Sequence, residues 1–181
     1  MCPWGYFFSY CSAVSEINQL ITQVAGALAE SNLRLITAES CTGGMVAGEL
    51  TGIPGSSNWF EGAFVTYRLS AKRRMLGVSG ELLERFGAVS EPVARAMAEG
   101  ALRASDADVS VAITGVAGPA GGDILTPVGT VWFAWALLTT PDSEPSCVQA
   151  SQHDFSGSRD QVRRQAVEIA LAGVLALLSP G

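Results

Sequence analysis

Three residue types in this chain have the chemistry to activate one another: Ser40, Tyr67 and Lys72. A serine hydroxyl is a weak nucleophile until a base takes its proton, and a lysine is such a base only when its amine is held neutral. A lysine in the first turn of a helix is opposed by the helix dipole, and burial lowers its pKa further. Lys72 falls at such a place, with Tyr67 five residues before it across a strand-to-helix turn, able to position or relay the proton. The set fits a serine–lysine hydrolase. The competing reading of Lys72-Arg73-Arg74 is a solvated basic face. A Ser–His triad is poorly supplied, because the single histidine, His153, falls in a polar stretch that reads as an edge strand.

Ser40 belongs to the stretch Thr37-Ala-Glu-Ser-Cys-Thr-Gly-Gly44. Leu33–Thr37 reads as a strand, and Thr42, Gly43 and Gly44 lead into the helix-like spacing of Met45, Val46, Ala47 and Leu50. Ser40 is therefore expected at the carboxyl end of a strand, facing the amides of a helix N-terminus, which favour an anion or a developing oxyanion. Equally, Ser40 or Thr42 is a simple N-cap. A second glycine-rich stretch, Thr114 to Gly122, follows another strand and contains Gly115, Ala117 and Gly118. Its amides would suit phosphate or carboxylate, or its glycines satisfy turn geometry alone. It carries no Gly-Lys-Ser/Thr and leads into a strand, so it is neither a Walker loop nor a dinucleotide fingerprint.

The elements that must position these residues follow from periodicity. Ser15–Glu30 carries apolar residues at helical spacing, with Asn32 as its stop. Residues 51–58 are a loop, Trp59–Tyr67 a strand, and a short helix capped by Ser70 ends at Gly77. Gly80–Phe86 gives one or two helical turns, and Ser90 with Pro92 opens a helix running to about Ala104. Val109–Thr114 is a buried strand, 115–127 a loop, Val128–Leu138 a long strand and Val148–Phe155 an edge strand reached by a linker holding Pro141 and Pro145. Gly157–Leu178 is a last helix, basic early at Arg159, Arg163 and Arg164. The order suits a three-layer α/β/α sandwich. Its sheet is mixed, because too little chain separates the last three strands for helical crossovers.

Composition narrows the classes of function. A chain of 181 residues with 48% hydrophobic content is one domain, able to bury about 70% of its unfolded surface. A formal net charge of −6 argues against a non-specific nucleic-acid binder. Cys2, Cys11, Cys41 and Cys147 are far apart and form no Cys-x-x-Cys pair, so no metal site is expected and Cys41 reads as a small buried hydrophobe. Residues 1–14 are aromatic-rich without a basic leader and read as a variable extension, packed on the surface or at a subunit contact. The domain proper then covers 15–181. No stretch offers the ~20 uninterrupted apolar residues of a membrane span, so a cytoplasmic protein is the expectation.

Several motifs, in order over about residues 15–178, resemble the CinA C-terminal domain family. They are Thr37–Gly44, Phe60–Tyr67, Ala71-Lys72 with Leu76-Gly-Val78, Val89–Ala94, Thr114–Pro119, Pro127–Ala134 and Phe155–Arg159 with Val162–Val167. The chain resembles the stand-alone form, without the molybdopterin-binding-like domain that precedes this module in longer members. The resemblance implies an α/β/α fold and an amidohydrolase that converts nicotinamide mononucleotide and water to nicotinate mononucleotide and ammonia. No cofactor is needed, and the family's compact members suggest a homo-oligomer. Its catalytic serine, tyrosine and lysine correspond to Ser40, Tyr67 and Lys72, Thr114–Pro119 to a substrate-lining loop, and Arg159 to a phosphate partner. The chain departs from the family at Arg68-Leu69, where Ser-Asn is usual, and at Thr126, where a basic residue usually precedes Pro-Val-Gly. Arg68 and Leu69 motivate the two alternatives, a non-catalytic nucleotide-binding protein and an amidase for another small carboxamide.

Overall fold

The computed structural model describes residues 5–138, 140 and 144–179. Its elements are α1 (Gly5–Ser31), β1 (Leu35–Glu39), α2 (Met45–Thr51), a 3-10 turn (Ser56–Asn58), β2 (Phe60–Val65), α3 (Leu69–Leu76), α4 (Gly80–Phe86), α5 (Glu91–Arg103), β3 (Val109–Gly115), β4 (Thr130–Leu137), β5 (Ser146–Asp154) and α6 (Arg159–Leu178). One five-stranded sheet has the order β2-β1-β3-β4-β5. β2, β1 and β3 run parallel, and β4 and β5 pair antiparallel to their neighbours. The expected mixed sheet is therefore present, with its antiparallel part where the connections are short.

Burial follows position in the sheet. β1 and β3, covered on both faces, are buried almost throughout, as inner parallel strands require, whereas the edge strand β2 alternates. One core lies under α1, α2 and α6 and includes Ile21, Leu28, Val46, Val111, Phe133 and Leu171. The second lies under α3, α4 and α5 and includes Leu76, Leu83, Met97 and Ala112. The molecule is thus the three-layer α/β/α sandwich read from the element order.

Several boundaries differ from expectation. α1 begins at Gly5 instead of Ser15, because the change in composition at residue 14 contains nothing that breaks a helix. How the extension's side chains pack lies outside the described residues, as does Pro141 of the linker. Strand β1 ends at Glu39, two residues later than periodicity suggested, so Ser40 follows it directly. Ser70 is not the cap of α3: Arg68 holds that position in extended conformation, and Ser70 lies inside the first turn.

The parallel register then sets three polar residues side by side. Glu39 pairs with Val65 on one side and Ile113 on the other, so Ser40, Thr66 and Thr114 stand at one level at the carboxyl ends of β1, β2 and β3. This is the edge where ligands bind in open α/β sheets. Helix α6 overlooks it. Its first turn is fixed by a capping box between Ser158 and Gln161, and Trp135 of β4 donates its indole N–H to the Ala170 carbonyl at 3.0 Å.

Candidate active site

Helix α3 carries Lys72 and Leu76 one turn apart on its buried side, with Arg73 and Arg74 turned to solvent. The basic-face reading therefore holds for the two arginines and fails for the lysine. Lys72 is fully buried, and its Nζ donates to Ser40 Oγ at 2.8 Å and to the Thr66 carbonyl at 2.6 Å. Ser40 itself is nearly buried. Burial pushes the Lys72 ammonium down from 10.5 to about 8, weakly opposed by the neighbouring Cys41 thiol. About a tenth of the lysine is then neutral at pH 7, against less than a thousandth for an ordinary one.

The turn carrying Ser40 is built around Glu39, which the sequence reading passed over. Its side chain is fully buried and accepts the backbone N–H groups of Gly44 at 2.9 Å, Val46 at 3.2 Å and Ala47 at 2.9 Å, with the Thr37 hydroxyl at 3.2 Å. The chain's own carboxylate thus fills the N-terminus of α2. Gly43 and Gly44 adopt positive φ of 62° and 92°, which lets the amides wrap around it. This corrects the expected oxyanion role of the Gly43 and Gly44 amides, because Gly44 donates to Glu39 and Gly43 to the Ser40 carbonyl at 3.1 Å. It also removes Ser40 and Thr42 as caps of α2: Gly44 holds the cap position with no side-chain cap bond. Burial pushes the Cys41 thiol up to about 11, with the backbone of the same turn and Lys72 opposing the rise. Cys41 is buried, as expected of a small hydrophobe.

The remaining sequence-derived site residues divide. Arg159, in the first turn of α6, donates from Nη1 to the Gly118 carbonyl at 2.9 Å and from Nη2 to the Tyr67 hydroxyl at 3.4 Å. It therefore joins the second glycine-rich loop to Tyr67. Thr42 is held through its carbonyl by Arg163 Nη2 at 2.7 Å, while its own buried hydroxyl has no partner among the described residues. Thr114, Gly115 and Ala117 face into the fold. The Thr114 hydroxyl donates to the Ala88 carbonyl at 2.7 Å, and Ala117 is part of the hydrophobic core. At Gly115 a Cβ would stand 2.7 Å from the Thr130 carbonyl, so packing against β4 explains that glycine. Among the described residues no group of three or more His, Cys, Asp and Glu is placed to hold a metal, and no helix is long and apolar enough to cross a membrane.

Three functional positions were thus missed: Glu39, Thr66 and Arg163. A buried-strand acid directly before a glycine-rich helix start was the available signal for Glu39, since such an acid suits the positive end of the dipole. Arg163 lies four residues after Arg159, on the same helix face. No sequence signal marks Thr66, whose role is played by its backbone carbonyl.

Comparison with known proteins gives the family. The model of the CinA C-terminal domain family matches residues 17–178. A nicotinamide-nucleotide amidohydrolase, PncC, from Escherichia coli strain K12 is 53% identical over 158 residues, covering 87% of this chain and 92% of that protein. Its namesake from Pseudomonas putida is 47% identical over 164 residues, covering 91% and 98%. Among solved structures, a competence-damaged protein (CinA) superfamily protein from Enterobacter cloacae superposes with a TM-score of 0.83 at 39% identity, covering 90% of this chain and 92% of that one. With the family model matching residues 17–178 and relatives about half identical over nearly their whole length, the chain belongs to the CinA C-terminal domain family.

Proposed function

We propose that this chain is a nicotinamide-nucleotide amidohydrolase, hydrolysing the carboxamide of nicotinamide mononucleotide to a carboxylate and ammonia, with Ser40 as nucleophile and Lys72 as base. One observation carries the assignment of roles: a fully buried lysine with a lowered pKa, 2.8 Å from a serine at the end of a strand. The activity is that named for relatives about half identical over nearly their whole length.

The reaction follows from the contacts. The Thr66 carbonyl keeps one N–H of Lys72, which aims the lone pair of the neutral amine at the Ser40 hydroxyl. Lys72 takes that proton as Ser40 Oγ bonds to the carboxamide carbon, and the carbonyl oxygen becomes an oxyanion. Among the described residues the Cys41 and Thr42 N–H groups make no backbone hydrogen bond, and the oxyanion would take them. The C–N bond breaks as the Lys72 ammonium returns its proton to the nitrogen, releasing ammonia and leaving a Ser40 ester. Water, deprotonated by the again neutral Lys72, attacks the ester; the carboxylate leaves and Ser40 regains its proton. Arg159 would take the phosphate. A cytoplasmic homo-oligomer is the setting this reading carries.

Purified protein incubated with nicotinamide mononucleotide should release ammonia. Lys72→Ala should reduce the rate by about 10²–10⁴, the usual worth of a general base, and Ser40→Ala by at least as much. Undiminished release from either variant would overturn its role. Release from other carboxamides but not from the mononucleotide would overturn the substrate.

A further inference from the structure

Tyr67 is the residue of this site that the Ser40–Lys72 chemistry leaves without a task. Its backbone is fixed beside the base, because it directly follows Thr66, whose carbonyl accepts from Lys72 Nζ at 2.6 Å. Tyr67 is 62% exposed, and among the described residues the partner of its hydroxyl is Arg159, at 3.4 Å, not Ser40 or Lys72. A proton relay requires the reverse, a hydroxyl within about 3.2 Å of the nucleophile or the base. What Tyr67 presents to solvent is an exposed aromatic side chain. Leu69 is exposed next to it, and Tyr67, Arg68, Leu69 and Ser70 line an open cavity of ≈ 520 Å³.

An aromatic face attracts a cation lying over it. The substrate of the proposed reaction carries its carboxamide on a pyridinium, a planar ring with a formal positive charge, and a ribose phosphate on the far side. The contacts of Tyr67 run the same way: its backbone follows Thr66, whose carbonyl holds Lys72, and its hydroxyl end meets Arg159. We propose that Tyr67 is the platform on which the pyridinium ring lies, a binding residue that selects a cationic ring over a neutral one. Its hydroxyl serves to hold Arg159, and no proton passes through it. The inference rests on the amidohydrolase reading and adds the subsite for the ring.

Two substitutions separate platform from relay. Tyr67→Phe keeps the face and loses the hydroxyl, whereas Tyr67→Leu keeps apolar bulk and loses the face. With nicotinamide mononucleotide, the leucine variant should show a KM about tenfold or more above that of the phenylalanine variant, with their kcat values within about threefold of each other. A relay predicts the opposite: equal losses of kcat in both variants and matching KM values, which would overturn the platform. Binding supplies a second readout. In Ser40→Ala protein, calorimetry should show the pyridinium mononucleotide binding about tenfold tighter than its reduced dihydropyridine form. That preference should fall to within about threefold when Tyr67→Leu is added. Equal binding of the two ligands with Tyr67 present would also overturn the platform. Absence of ammonia release by the wild-type protein would instead overturn the amidohydrolase reading, and the pyridinium as ligand with it.

Discussion

The two glycine-rich segments, one after β1 and one after β3, look alike in sequence and are used differently. Each follows a buried parallel strand, and each offers small residues and free amides at the ligand-binding edge of the sheet. The first closes around the protein's own anion: Glu39 turns back into the amides of Gly44, Val46 and Ala47, which leaves Ser40 held between a filled helix terminus and the buried Lys72. The second closes on the fold. Its Gly115 exists because β4 passes too close for a side chain, Ala117 joins the core, and the Gly118 carbonyl anchors Arg159. Farther along, its tip leaves Ile124 and Leu125 almost wholly in solvent. Glycine richness therefore reports close approach to a backbone, and the approaching group decides the function. In one segment that group is a carboxylate and in the other a neighbouring strand.

If this contrast is right, the largest effect should come from emptying the first turn. Glu39→Ala removes four hydrogen bonds from a fully buried site and should cost about 3–5 kcal/mol in urea denaturation, because three amides lose a charged acceptor together. Gly115→Ala should come next, at about 1–3 kcal/mol, from forcing a methyl group against the Thr130 carbonyl. A Glu39→Ala cost no larger than that of Gly115→Ala would remove the distinction between an occupied cradle and a packing contact. The smallest effect belongs to the open tip: replacing both Ile124 and Leu125 by serine should change stability by no more than about 0.5 kcal/mol per site. A larger loss would show that the second segment closes on a partner after all.

What the sequence made legible was local or chemical. Short connections required an antiparallel end to the sheet, the strand ends appeared as polar residues after apolar runs, and a serine and a lysine without a histidine pointed to one class of hydrolase. The motif resemblance covered nearly the whole chain and named the same residues. What stayed hidden depends on register and depth. Thr66 comes beside Ser40 only because Glu39 pairs with Val65, and no local pattern encodes that pairing. Lys72 is indistinguishable from Arg73 and Arg74 as a run of charge; only its place on the face shared with Leu76 buries it. Glu39 carries no periodic pattern of its own, because its bonds are all local to the turn. The start of α1 at Gly5 is hidden because the shift in composition at residue 14 holds no helix breaker.

The central claim is that Lys72, its ammonium made easier to deprotonate by burial, is the base that activates Ser40, and its most direct test is the pH dependence of kcat/KM with nicotinamide mononucleotide. Lys72 must lose its proton to act, so the rate should rise with pH, bend at an apparent pKa of about 8 and level above it. The residual activity of Lys72→Ala should lack that limb. A midpoint near 10.5, or the same limb surviving in the Lys72→Ala protein, would contradict the claim.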